Sequence, residues 1–200
     1  MDPASRRVIE HAPLVLVDFD RTLATLRTDW AALKARLASA CEGRGWPWEI
    51  DGPLDRNLRR VRADVSENAF LLLCRMVANA EIAGFDANLI SRELIEILRD
   101  RAGYATAIVT NNTNLGVSRI LANPVFRGVD ARVIGKEDVT RSKPDPQGLL
   151  RACQLFVASP KATVFVGDSD TDALAAKAAG IGIFVRVARP AGPALLRLAA

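Results

Sequence analysis

A single histidine, His11, stands in the leading segment of the chain, which leaves no His-based catalytic triad, no histidine phosphatase mechanism and no histidine-rich metal site. Cysteine is scarce as well. Cys41, Cys74 and Cys153 form an odd, widely separated set within helical apolar patterns, without the paired spacing of a zinc site, and are expected as reduced core thiols. Long apolar runs are missing: Met1 to Pro13 carries Arg6 and Arg7 with no following stretch of signal length, and Leu14 to Val17 is far too short to span a bilayer. Membrane insertion and secretion are therefore not expected, and a cytoplasmic location is. Low-complexity segments and internal repeats are absent.

Charge of one sign is also in short supply. The 27 basic and 23 acidic residues leave a formal charge of only +4, dispersed and interleaved, and no nucleic-acid-binding module is recognisable. Nucleic acid is not an expected partner; an anionic metabolite suits the balance. Arg56, Arg59 and Arg60 share a helical face with Arg62 nearby, and read as a solvated surface. With 200 residues, half of them apolar, the chain can bury one sizeable core and a small appended unit.

Four segments carry chemistry. Leu14-Val15-Leu16-Val17 reads as a strand buried on both faces, and it ends in Asp18-Phe19-Asp20-Arg21-Thr22-Leu23. Ligands of parallel sheets collect beyond the strands' carboxyl ends, where one carboxylate could attack or bind metal while the other handles a proton. The pair alone equally suits capping of a turn or helix. Tyr104 to Val109 is a second strand, ending in Thr110-Asn111-Asn112; the Thr110 hydroxyl and backbone amides could hold an anionic oxygen, with Asn111 in support. Lys143, in Thr140-Arg141-Ser142-Lys143-Pro144-Asp145-Pro146, precedes a helix marked by Leu149, Leu150, Cys153 and Phe156, and could offset two aspartates. Thr163 to Val166 is a third strand, running into Gly167-Asp168-Ser169-Asp170-Thr171-Asp172 and an alanine-rich helix, Ala173 to Ala179, closed by Gly180. Hard divalent cations take oxygen ligands of this kind, and helix capping is the structural alternative.

In order and spacing these segments resemble the haloacid dehalogenase-like (HAD) hydrolase superfamily, in its magnesium-dependent phosphatase branch, with a broad likeness to phosphoglycolate phosphatase-like members. Asp18, Asp20 and Thr22 match its Asp-x-Asp-x-Thr motif, Thr110 its second motif, Lys143 its lysine, and Asp168 with Asp172 its Gly-Asp-x-x-x-Asp pattern. The resemblance implies a phosphatase that passes a phosphoryl group through an aspartyl-phosphate. Asp18 would be the nucleophile, Asp20 the general acid and base, and Thr110, Asn111 and Lys143 would hold the phosphoryl oxygens. Magnesium would be held by Asp18, the Asp20 backbone carbonyl and Asp168, with Asp172 in support. Asp170 matches no required position. Asp20 favours phosphoester chemistry over dehalogenation, since a halide needs no proton. Arg21 departs from the family, which commonly has a small residue there; a bulky cation could restrict the entrance or contact substrate, but a side chain turned to solvent is the expectation. A small phosphorylated metabolite is the implied substrate. A phosphomutase or phosphotransferase using the same Asp18, or a catalytically silent binding module, remain alternatives, and the oligomeric state is left open.

The fold class expected is α/β: a doubly wound, Rossmann-like parallel sheet over residues 1–23 and 85–200, with a small all-helical cap inserted over 24–84. Trp30, Leu33, Leu37 and Cys41, then Leu54, Leu58, Val61 and Val65, then the span Ala69 to Ala83, follow helical spacing, and the interval lacks strand signals. Gly43 to Gly52, with Trp46 and Trp48, reads as a loop whose tryptophans pack within the cap. Leu89, Leu94, Ile95 and Leu98 predict a core helix, Leu115 to Leu121 another, and Ala131 to Ile134 and Ile181 to Val187 two strands, before a terminal helix or tail beyond Pro190.

Overall fold

A computed structural model describes residues 1–101 and 103–190; the expected terminal helix or tail lies outside the described residues. Five parallel strands form one sheet: β1 (Leu14–Val17), β4 (Ala105–Val109), β5 (Arg132–Ile134), β6 (Thr163–Gly167) and β7 (Ile183–Arg186), in the order β5-β4-β1-β6-β7. The fully apolar β1 lies at the centre, with β4 and β6 on its edges and helices on both faces, an environment that buries all four of its side chains. Its side chains alternate: Val15 and Val17 pack toward α1 (Pro3–His11), α5 (Arg92–Arg99) and α6 (Asn114–Leu121), whereas Leu14 and Leu16 pack toward α7 (Gln147–Leu155) and α8 (Asp170–Ala179). This is the expected doubly wound α/β architecture.

Between β1 and α5 the chain leaves the sheet. A short strand β2 (Ala24–Leu26) is followed by helices α2 (Trp30–Glu42), α3 (Leu54–Asp64) and α4 (Glu67–Ala83), and the chain returns along β3 (Phe85–Ile90), which pairs antiparallel with β2. The three helices bury an apolar cluster of their own, including Leu33, Leu37, Leu58, Phe70, Leu73 and Val77, with Trp46 and Trp48 packed against it as expected.

The paired strands correct two expectations. Residues 24–26 form a strand where a purely helical interval was expected, and Leu89 belongs to β3 rather than to the following helix. A three-residue strand is too short to show a period of two, and β3 carries Asp86 and Asn88 without regular alternation of burial. The helix α1 was not anticipated; its only large apolar side chains are Val8 and Ile9, and it is started by Pro3 and by Asp2, whose carboxylate accepts from the backbone N–H groups of Ala4 and Ser5. Cys41, Cys74 and Cys153 are free and buried, in keeping with their expected role. No helix among the described residues is long and apolar enough to cross a membrane.

Candidate functional site

Because the strands run parallel, β1, β4 and β6 deliver Asp18, Thr110 and Asp168 to the same edge of the sheet, each as the first residue past its strand. The Asp18 N–H still donates to the Val166 carbonyl at 2.9 Å, so the carboxylate is held by sheet geometry rather than by a free loop. Beyond it the chain turns tightly: the Phe19 carbonyl accepts from the N–H groups of Thr22, Leu23 and Ala24. Arg21 occupies the left-handed region of this turn at φ 67°, a conformation that favours glycine and explains why a small residue is at home there. Its side chain stands at the cleft mouth, 3.8 Å from Asp20, rather than turning wholly to solvent.

Lys143 arrives from the loop before α7. Its backbone N–H donates to Asn111 Oδ1 at 2.9 Å and its carbonyl accepts from Asn111 Nδ2 at 3.0 Å, a reciprocal pair that fixes the loop against β4. Asn111 thus positions the Lys143 loop while lining the cleft itself, with its second Nδ2 hydrogen outside this reciprocal pair. The ammonium lies 2.6 Å from Asp18 and 2.6 Å from Asp172, with its side chain only 5% exposed. Asp172 sits in the first turn of α8, where Ser169 is the N-cap; its second oxygen accepts from the Ser169 hydroxyl at 2.6 Å and N–H at 3.1 Å, closing a capping box. Asp172 thus caps α8 through one oxygen and meets Lys143 through the other. Gly167 makes room for it, since a Cβ there would lie 2.8 Å from the Asp172 side chain.

Burial dominates the electrostatics. It pushes the Asp18 carboxyl up to about 6, against the pull of Lys143 and with the push of Asp172. Burial would lower Lys143, but the two carboxylates outweigh it and hold the ammonium above its ordinary range. Burial also works against Asp172, yet the Lys143 and Ser169 donors keep it ionised below the usual carboxylate range. Asp20 is raised by burial despite the Leu26 N–H that its side chain accepts at 2.9 Å. A carboxyl that holds its proton more tightly than usual suits a general acid.

Asp18, Asp168 and Asp172 each offer an oxygen, all within 4.8 Å of one another. An all-oxygen, anionic donor set fits a hard divalent cation such as magnesium. The Asp20 carboxylate is outside this group. Asp168 pairs with Arg189 at 3.2 Å, and Asp170 lies on the surface with Arg186. The Thr110 hydroxyl donates to Asn112 Oδ1 at 2.8 Å.

These residues line a cleft of about 530 Å³ whose other wall comes from the inserted helices: Trp30, Lys34, Leu54, Asp55, Val77 and Glu81. Lys136, after β5, pairs with Asp55 across it. Sequence reasoning missed Lys34, Asp55, Glu81, Asn112 and Lys136. For all but Asn112, which adjoins the second motif, no local pattern distinguishes them from solvated helix or loop residues.

A family model for haloacid dehalogenase-like hydrolases matches residues 13–180. The chain is similar to phosphoglycolate phosphatases from Haemophilus influenzae, 34% identical over 92 residues covering 46% of this chain and 41% of that protein, and from Nitrosospira multiformis, 36% identical over 93 residues covering 46% and 40%. It thus spans less than half the length of the curated relatives it matches. Among solved structures, a HAD family enzyme from Bacteroides thetaiotaomicron shares the fold, with a TM-score of 0.58, 16% identity, and coverage of 87% of this chain and 93% of that one.

Lys143→Ala would leave two buried carboxylates facing each other, a change that costs about 3–5 kcal/mol for a buried pair. Their folded pKa values would rise above the unfolded value of about 3.9, so the penalty is present above that pH and fades as pH falls toward it. The Tm gap to wild type is expected to be widest near pH 8, to close toward about pH 4 and to narrow with magnesium chloride. A gap that ignores both pH and magnesium would show that Lys143 does not neutralise this cluster.

Proposed function

Since the chain belongs to the haloacid dehalogenase-like hydrolases, we propose that it is a magnesium-dependent phosphatase, hydrolysing a small organophosphate monoester through an aspartyl-phosphate intermediate. The observation that carries this reading is the buried Asp18 carboxylate, bonded to Lys143 and facing Asp172, with the half-buried Asp20 two residues on. The phosphoglycolate phosphatases to which the chain is similar support a small phosphorylated substrate.

In the proposed reaction an Asp18 oxygen attacks phosphorus, the bond to the ester oxygen breaks, and Asp20 gives its proton to the departing alkoxide. Asp20, now ionised, takes a proton from the water that attacks the phosphoryl-Asp18 bond; inorganic phosphate leaves and both aspartates return to their starting forms. Lys143 and the Thr110 hydroxyl hold phosphoryl oxygens, so that catalysis is chiefly positioning and charge stabilisation. Asp18, Asp168, the Asp20 backbone carbonyl and, in support, Asp172 would hold magnesium. Bound there, the cation supplies charge neutralisation and Lewis-acid stabilisation of the phosphoryl oxygens. Residues 24–84 act as the cap that closes one wall of the cleft and narrows the substrates admitted. Three free cysteines suit a reducing compartment, in keeping with a cytoplasmic enzyme.

Phosphate release is to be measured over a panel of phosphomonoesters, with magnesium or with chelator. Asp18→Asn is expected to lower kcat by about 10³-fold or more with the fold intact, since the nucleophile is lost; turnover near the wild-type rate would remove Asp18 from that role. A second outcome concerns pH. Asp18 must shed its proton to serve as nucleophile or ligand, and burial holds that proton up to about 6 before a cation binds. The magnesium concentration giving half-maximal rate should rise as pH falls through about 6 and level off above it, because proton and cation compete. A requirement independent of pH between 5 and 8 would count against Asp18 as the titrating ligand.

A further inference from the structure

Resting on the phosphatase reading, in which Thr110 holds a phosphoryl oxygen, a carboxylate from outside the sheet acquires a role. Glu81 lies on α4, among the helices between β2 and β3, and is fully buried. One of its oxygens accepts from Asn112 Nδ2 at 2.9 Å and from the Thr113 N–H at 3.2 Å; the other accepts from the same N–H at 3.2 Å and from the Thr113 hydroxyl. All three donors belong to the loop that follows β4. None belongs to α4 itself.

Asn112 passes the contact on. Burial raises the Glu81 carboxyl while the Thr113 and Asn112 donors pull it back down; because its Oε1 accepts from the Asn112 Nδ2, the Asn112 Oδ1 is left facing Thr110. That oxygen accepts from the Thr110 hydroxyl at 2.8 Å, and the Asn112 N–H donates to Thr110 Oγ1 at 3.1 Å. Whichever way the hydroxyl proton turns when a phosphoryl oxygen draws on it, the Asn112 N–H keeps the Thr110 oxygen in place. The first turn of α6 is kept bare for this arrangement: a Cβ at Gly116 would collide with Glu81 and stand 2.7 Å from the Thr113 hydroxyl.

Docking α4 against the sheet requires no charge, since a buried ionic group can often be replaced by apolar side chains without loss of stability. A carboxylate whose hydrogen bonds all go to the loop bearing Thr110 has another use. We propose that Glu81 is a positioning residue: acting through Asn112, it holds the Thr110 hydroxyl where the phosphoryl group binds, and so makes the helical insert part of the phosphate site.

The test is a double-mutant cycle on the full chain. Glu81→Leu keeps much of the bulk and removes the acceptors; Glu81→Gln keeps an acceptor for Asn112; Thr110→Val removes the hydroxyl. Binding of inorganic phosphate in magnesium chloride is measured by titration calorimetry, alongside KM and kcat on an ester that wild type turns over. Glu81→Leu is expected to weaken phosphate binding about tenfold and to raise KM by a similar factor, Glu81→Gln to recover most of the loss, and Glu81→Leu to add nothing in the Thr110→Val background. Wild-type phosphate binding by Glu81→Leu, or additive losses in the double variant, would overturn the proposal. Should Glu81→Leu fail to fold, Asn112→Ala cuts the same route at its middle, leaves Glu81 its Thr113 donors and carries the cycle with the same expectations. Phosphate binding without turnover of any ester would defeat the phosphatase reading while the cycle still decides the role of Glu81. A wild type that binds no phosphate would overturn both.

Discussion

The Lys143 ammonium, buried between Asp18 and Asp172, is the contact on which the rest of the site depends. It joins three segments that are distant in sequence: the exit of β1, the loop before α7 and the first turn of α8. Two carboxylates this deep would repel one another and take up protons; one cation between them keeps the pair anionic and available. The surrounding structure serves that contact. Asn111 clasps the Lys143 backbone from both sides, Ser169 fixes the far oxygen of Asp172, and the continuing sheet bond to Val166 holds Asp18. Neutralisation is incomplete, one positive charge against two negative ones, and this leaves the oxygen-rich corner shared with Asp168 suited to a cation.

Strand order explains why these segments meet. With β1 central and β4 and β6 on either side, the first residues past three adjacent strands converge on one edge, and the helices that follow start there. The inserted helices approach the same edge and are tied to it by polar contacts: Glu81 to Asn112 and Thr113, Asp55 to Lys136, and the Arg62 guanidinium to the Val139 carbonyl at 2.9 Å. Buried polar groups are costly unless fully paired, so ties of this kind define one orientation of the insert against the sheet more sharply than apolar packing would.

Strands that end in polar or acidic residues were legible from the sequence because a run buried on both faces is continuous and apolar, and its end is abrupt. Leu14 to Val17 before Asp18, and Thr163 to Val166 before Gly167-Asp168, are the plainest cases, and with them the parallel sheet. The pairing of β2 with β3 was not legible, since three residues carry no period and Asp86 and Asn88 interrupt the other partner. Glu81 was illegible for a different reason. Within α4 it is one acid on a helix, and only the Thr113 and Asn112 donors, more than thirty positions away, distinguish it from a solvated residue. Sequence shows which residues have chemistry; it shows burial of a charge only where local periodicity is strong.

Two glycines make the same point from the side of space rather than charge. Gly167 ends β6 and Gly116 lies in the first turn of α6, and neither has a positive φ; each is required because a carboxylate closes on the backbone there, Asp172 in one case and Glu81 in the other. A side chain as small as alanine would push the first away from Lys143 and the second away from the loop bearing Thr110. The volume left empty at a glycine is thus as much a part of the site as the groups that fill it, and tight packing transmits the consequence directly to charge placement. In the first case the sequence pattern hinted at the need, since Gly167 adjoins Asp168; in the second it was silent, because the group that needs the space comes from another helix.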